Sequence, residues 1–199
     1  SSAASDVYKR QLLHAADSRL SSDPSHELLV QITGSEGKDK LVGGEADERL
    51  LGLGGDDSLA GGAGNDVLVG GAGRDTLTGG SGADIFRYEA VTDSYRTSSG
   101  AFSDHIIDFD ATLDRIDLSE LGFSALGNGL NGTLRLSYSS ASDRTYMSSQ
   151  ESDADGRHFE LAIQGNHLST LSSANILFNG NVASNAAPVL HEAPVSYTH

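Results

Sequence analysis

The chain has 199 residues, a formal net charge of −15, 37% hydrophobic and 6% aromatic residues, and neither cysteine nor tryptophan. That acidity argues against nucleic acid and anionic membrane as partners, the missing cysteines remove disulfides as staples, and no stretch is apolar for long enough to span a bilayer. Aromatic content this low is too little for one large conventional core, so stability must come from thin, repeated layers or from a bound ion.

In chain order, residues 1–11 and the final five (Val195 to His199) resemble translated adaptor sequence and read as non-native ends. Residues 1–27 are therefore expected to be linker or non-native, and 181–199 likewise. Two near-misses lie in the first segment. His26-Glu27 begins a zinc-protease helix motif, but Val30 stands where the second histidine belongs, and Asp23-Pro24-Ser25-His26-Glu27 is an interrupted acid-Pro-His-Glu string. Both read better as solvated linker. Leu28 to Ile32 alternates as a strand leading into a glycine-rich segment.

Residues 34–87 fall into six consecutive rows of nine without insertion: GSEGKDKLV, GGEADERLL, GLGGDDSLA, GGAGNDVLV, GGAGRDTLT and GGSGADIFR. A flexible linker would keep this composition without keeping register. Position eight is apolar in every row (Leu41, Leu50, Leu59, Leu68, Leu77, Phe86), which suits a short strand with one buried face. Position six is acidic in every row: Asp39, Glu48, Asp57, Asp66, Asp75 and Asp84. The glycines at positions one, two and four suit a tight turn with left-handed backbone angles.

One row makes a turn and a strand, so two rows make one coil of a parallel β-roll, and same-side turns recur every 18 residues. Asp39, Asp57 and Asp75 then stack on one edge, and Glu48, Asp66 and Asp84 on the other. Coils lie about 4.8 Å apart, and like charges at that spacing repel by roughly 1 kcal/mol per pair even in water. A cation between the turns removes this penalty. Ca²⁺ fits best, because it accepts six to eight oxygens in flexible geometry. The position-four glycines Gly37, Gly55, Gly64, Gly73 and Gly82 are the candidates to bring backbone oxygens toward it. Row two has Ala46 at that position and Glu48 for aspartate, and row three has Leu53 for the second glycine. The pairing of rows two and four is expected to be the poorest site.

Residues 88–180 contain less glycine and longer strand patterns, at 85–88, 104–109, 114–118, 133–138, 144–149, 157–163 and 175–178, with a turn at Gly165-Asn166 and a short helical turn over 169–174. They are expected to form a β-rich cap that continues the roll (28–87) and covers its last apolar layer. Within the cap, Asp104, Asp108, Asp110, Asp114 and Asp117 lie close in sequence. Alternation places Ile107 and Phe109 on one face and Asp104, Asp108 and Asp110 nearer the other. These acids read equally as one more Ca²⁺ site or as a solvated acidic loop.

The rows resemble the calcium-binding nonapeptide of RTX proteins, and residues 34–119 resemble C-terminal RTX domains of secreted bacterial enzymes such as serralysin-type proteases. Narrower strings are Ile85-Phe86-Arg87, Thr92-Asp93-Ser94-Tyr95-Arg96-Thr97, Leu121-Gly122-Phe123, Arg144-Thr145-Tyr146 and Asp153-Ala154-Asp155-Gly156-Arg157. With these, residues 28–180 resemble the R-modules of secreted mannuronan C-5-epimerases, which convert mannuronate to guluronate within alginate. The resemblance implies an all-β, non-catalytic module that binds Ca²⁺ and the alginate chain, supports a separate catalytic module, and is secreted by a type I route. The alternative is an RTX folding and secretion module of another secreted enzyme, such as a protease or lipase, with no carbohydrate ligand.

A polyuronate needs guanidinium groups to pair its carboxylates. The candidates are Arg87, Arg96, Arg144 and Arg157, with Arg135 a further cation and Tyr88, Tyr95 and Tyr146 as sugar-contacting partners. If their strands are neighbours, Arg96, Arg144 and Arg157 form a row along one face. An enzymatic reading finds no Gly-x-Ser-x-Gly elbow, no complete His-Glu-x-x-His and no cysteine nucleophile.

Overall fold

The computed structural model describes residues 30–179. The two end segments expected to be linker or non-native, 1–27 and 181–199, lie outside the described residues.

β1 (Val30–Thr33) leads in, and the six rows fold into β2 (Lys40–Val42), β3 (Glu48–Gly54), β4 (Ser58–Ala63), β5 (Val67–Ala72), β6 (Thr76–Ser81) and β7 (Ile85–Arg87). Odd-numbered strands pair in parallel in one sheet and even-numbered strands in the other. Ile32 faces Leu50, Leu50 faces Leu68, and Leu59 faces Leu77, each 18 residues apart. This is the parallel roll that the nine-residue period implies.

Between the sheets lie two facing columns of apolar side chains. One runs Ile32, Leu50, Leu68, Phe86, Ile116 and Ile176, and the other runs Leu41, Leu59, Leu77, Ile106 and Ile163. Leu50 through Phe86, together with Ile106, Ile116, Ile163 and Ile176, are wholly buried. Burying one Leu or Phe contributes about 1.5–3 kcal/mol, so each coil adds one thin layer.

The cap supplies β8 (Tyr95–Arg96), β9 (Ala101–Phe102), β10 (His105–Ile106), β11 (Arg115–Asp117), β12 (Ala125–Leu126), β13 (Thr133–Ser139), β14 (Arg144–Ser148), β15 (His158–Gln164) and β16 (Ile176–Leu177). It continues both sheets. Their orders are β1-β3-β5-β7-β11-β16 and β12-β13-β14-β15-β10-β6-β4-β2. The coil spacing lengthens where segments are inserted: Thr76 pairs with His105 and Ile85 with Arg115. The open end is closed by antiparallel β13, β14 and β15, with Thr145 opposite Ile163 as the last buried pair. No helix among the described residues is long and apolar enough to cross a membrane.

The short helical turn expected at 169–174 is present as two single turns before Ile176, with Leu171 N–H donating to the His167 carbonyl and Ile176 N–H to that of Ser172, whereas other expectations change. In the acidic stretch it is Ile106 that enters the core, while Ile107 is exposed, because β10 continues the inward column of Leu77. Tyr88 is buried edge-on to Phe159 at 5.9 Å, so it belongs to the core and cannot contact a sugar.

Candidate calcium ladder

On each edge of the roll the position-six acids form a hydrogen-bonded ladder. Asp57 Oδ1 accepts the Asp39 backbone N–H at 2.7 Å, Asp75 Oδ1 accepts that of Asp57 at 2.8 Å, and Asp104 Oδ1 accepts that of Asp75 at 2.8 Å. On the other edge, Asp66 accepts from Glu48 at 2.8 Å, Asp84 from Asp66 at 2.9 Å, and Asp114 from Asp84 at 3.0 Å. Each acid thereby ties its coil to the preceding one with one oxygen.

The second oxygen distinguishes the rungs. Oδ2 of Asp57, Asp66, Asp75, Asp84 and Asp104 is buried without a hydrogen-bond partner. A buried, unpartnered carboxylate oxygen is costly, and its recurrence in both ladders, three times on one edge and twice on the other, calls for a partner of one kind. Burial pushes these carboxyls up, to about 6 for Asp57, Asp66 and Asp84 and about 7 for Asp75, with the neighbouring carboxylates adding to the rise. Asp104 rises well above the ordinary range for the same first reason.

Backbone oxygens meet the orphaned atoms. A Cβ at Gly61 would collide with both Asp66 Oδ2 and the Gly79 carbonyl oxygen, and one at Gly52 with Asp57 Oδ2 and the Gly70 carbonyl. The position-one glycines thus hold open a cradle in which a carboxylate oxygen and a carbonyl oxygen from adjacent coils converge. None of them has a positive φ, so their role is space and not the left-handed conformation expected for them. Oxygens of this kind fit a hard cation such as Ca²⁺. No three His, Asp or Glu side chains converge on one point among the described residues, so a cation here would draw on backbone carbonyls as much as on carboxylates.

The position-four glycines divide. Gly55, Gly64, Gly73 and Gly82 have φ between 115° and 141° and pack on the preceding coil, whereas Gly37 has no positive φ and faces open space. The first coil also satisfies its own acids. Asp39 Oδ2 accepts from Ser35 N–H at 2.6 Å and Ser35 Oγ at 2.7 Å, and Glu48 Oε2 accepts from Gly44 N–H at 2.9 Å. In rows one and two the acid thus has protein donors of its own, unlike the inner rows.

The acidic stretch of the cap is distributed over separate tasks. Asp104 and Asp114 extend the two ladders. Asp108 accepts from Gly79 and Gly80 N–H, both at 2.9 Å, and Asp110 caps Thr112. Asp117 pairs with Arg87 at 2.9 Å. β10 and β11 join different sheets, one half-coil apart, so Asp104 and Asp114 fall on opposite edges and the five acids do not gather into one additional cluster.

The cationic candidates are also dispersed. Arg87 lies on the six-stranded sheet beside Asp117. Arg96 pairs with Glu160 at 3.4 Å, and Arg157 pairs with Asp153 at 3.3 Å and with Asp155. Tyr95 stacks on Phe102 at 5.1 Å, with the Arg157 guanidinium 5.8 Å from its ring centroid. Arg144 and Tyr146 stand on β14. A single row of free arginines is not formed, because the acidic excess of the cap supplies partners to Arg96 and Arg157.

A parallel roll with a buried carboxylate ladder on both edges and a β-rich closing cap defines a C-terminal RTX-type module. Residues 31–174 match the Peptidase M10 serralysin C-terminal family, and the chain belongs to it. Its structure is similar to the R2 subunit of the Azotobacter vinelandii mannuronan C5-epimerase AlgE6, with TM-score 0.67 and 51% identity over 80% of this chain and 99% of that one. The R3 subunit matches at TM-score 0.66 and 46% identity, over 89% and 98%. The module is thus of the epimerase R type. Mannuronan C5-epimerase AlgE1 of the same organism is 59% identical over 93 residues, which is 47% of this chain but 7% of that protein. The chain therefore spans a small part of such a relative's length.

Proposed function

We propose that this chain is a non-catalytic, calcium-binding accessory module of a secreted alginate-modifying enzyme of the mannuronan C5-epimerase kind, exported by a type I route. In this reading it binds the alginate chain and supports the catalytic module. The observation that carries the calcium part is the set of five buried Oδ2 atoms without partners along the ladder. Ca²⁺ held by Asp57, Asp66, Asp75, Asp84 and Asp104, with carbonyls such as those of Gly70 and Gly79, would neutralise the stacked charges and join successive coils. That would also offset the net charge of −15 that otherwise repels a polyuronate.

Alginate binding is supported by the likeness to the epimerase R subunits and by the exposed Arg96 and the half-buried Arg144 and Tyr146 on the cap. The test is retention on immobilised alginate with Ca²⁺ and with a chelator. Calcium-dependent retention that declines with salt is expected. Calcium-folded protein that elutes with the void would instead support a folding and secretion module without a carbohydrate ligand.

A further inference from the structure

The outer face of the larger sheet carries a concave site that borders the carboxylate ladder at Asp75 but opens on the opposite side of β6. Where β6, β10, β15 and β14 lie side by side, the register aligns Thr76, His105, Ala162 and Tyr146 across the sheet. These four help line a cavity of about 380 Å³, whose other walls include Arg74, Arg144, Ser103 and Glu160. That volume lies at the lower end of the range for small-molecule sites.

The charged groups around it are engaged to different degrees. Glu160 is committed within the protein, accepting from Ser103 Oγ at 2.8 Å and Arg96 at 3.4 Å. Arg74 meets Asp56 at 3.7 Å, and both side chains are more than half exposed, so that pair is weak. Arg144 has no acidic partner among the described residues, and its Nε is buried without an acceptor. His105 is held below its ordinary pKa by burial and then by the Arg144 charge, with Nε2 3.2 Å from Gln164 Oε1. Among the described residues the Tyr146 hydroxyl meets only Ser142, at 3.4 Å.

We infer that this cavity is a carboxylate-binding subsite that takes one uronate unit of an acidic polysaccharide. Arg144 is the principal carboxylate donor and Arg74 the second, while the Tyr146 and Ser103 hydroxyls face the sugar. A guanidinium with unused donors matches a carboxylate bidentately. The Glu160 carboxylate makes the site hostile to a dianionic phosphate, whereas a singly charged carboxylate meets Arg144, which has no acidic partner among the described residues, and the loosely held Arg74. The site deepens the polyuronate reading and rests on it. It needs neither Arg87 nor Arg157, which have acidic partners of their own.

The test uses the calcium-loaded chain, calorimetry at low salt, and three probes: oligomannuronate, oligoguluronate and a neutral mannan oligomer of equal length. Arg144→Gln should weaken oligouronate binding at least tenfold. Arg115→Gln removes the same charge from the opposite sheet and should change binding less than twofold. Thr76→Trp, which fills the cavity without altering charge, should act like Arg144→Gln. Calcium titration and melting of each variant report folding independently. Equal effects of Arg144→Gln and Arg115→Gln, or full binding by Thr76→Trp, would overturn the subsite and leave polyuronate binding elsewhere on the module. Binding of the neutral oligomer as tight as that of the uronates would overturn the carboxylate role. No binding of either oligouronate by the wild type would overturn the subsite together with the polyuronate reading.

Discussion

Asp84 stands one coil beyond Asp66, and its two oxygens have opposite fates: Oδ1 accepts the Asp66 backbone N–H at 2.9 Å, while Oδ2 is buried with no partner. One oxygen holds the coils together without metal, and the other makes the metal-free array costly. The same division recurs at Asp57, Asp66, Asp75 and Asp104, so folding and cation binding should be one event.

With a chelator present, the module should lose most of its β circular dichroism or melt at a markedly lower temperature. Adding Ca²⁺ should restore both, and Mg²⁺ should do so poorly, since it demands a tight octahedron and releases its waters reluctantly. A spectrum and melting temperature indifferent to chelator would contradict the coupling.

The rungs should be unequal. Asp66→Asn keeps an acceptor for the Glu48 N–H but removes the charge from an orphaned oxygen, and it should lower apparent calcium affinity on the order of tenfold. Glu48→Gln alters a side chain already satisfied by Gly44 N–H and should have a much smaller effect. Calcium titrations of the two variants decide the point, and equal losses would show that the first coil binds as well as the inner ones.

The pH dependence should change sign with calcium. Without metal, burial raises the Asp57, Asp66, Asp75 and Asp84 carboxyls from 3.8 to about 6 or 7. The folded state then binds more protons than the unfolded one, so the stabilising contribution is full below about pH 4 and is lost as pH rises through 6 to 7. In chelator the module should therefore melt higher at pH 5 than at pH 7.5. With Ca²⁺ the proton competes for the same oxygens, so apparent calcium affinity should fall as pH drops from 7 to 5. Melting measured at both pH values, with and without metal, tests both signs.

The roll is legible in the sequence because a fixed nine-residue period places each Leu and each Asp before any long-range contact is known. Leu41 to Phe86 fill the columns their spacing assigns them. The cap is harder to read because the repeat distance jumps where chain is inserted, so the spacing that places Asp75 over Asp57 cannot place Asp104 over Asp75. Arginine partners depend on cross-strand register: Arg96 meets Glu160 only because β8 folds back onto β15. Arg74 and His105 carry no sequence signal as groove residues, because their approach to Arg144 is set by the β6-β10-β15-β14 order alone.

Leu53 sits at φ 79°, a conformation that its neighbours in the same turn position meet with glycine, and its side chain is 43% exposed. A side chain in that region costs roughly 1–2 kcal/mol, partly offset by the 0.5–1 kcal/mol that glycine loses in chain entropy. Leu53→Gly should therefore stabilise the calcium-loaded module slightly, raising Tm by about 1–3 °C. A fall in Tm would mean that the exposed leucine makes contacts that outweigh the backbone strain.

Two alanine substitutions separate a glycine needed for space from one that is not. A methyl group at Gly70 would enter the cradle against Asp75 Oδ2, whereas one at Gly37 would meet nothing within 4 Å. Neither residue has a positive φ, so backbone strain does not distinguish them. Gly70→Ala should displace the carboxylate oxygen and weaken calcium binding at the Asp57–Asp75 edge, with destabilisation on the order of 1–3 kcal/mol expected for overpacking a tight site. Gly37→Ala should be neutral or slightly stabilising, because alanine restricts the unfolded chain. Calcium titration and chemical denaturation of both variants measure the contrast. Comparable losses at Gly37 would show that the first turn closes around a cation as the inner turns do, and no loss at Gly70 would remove the cradle as the place where calcium is held.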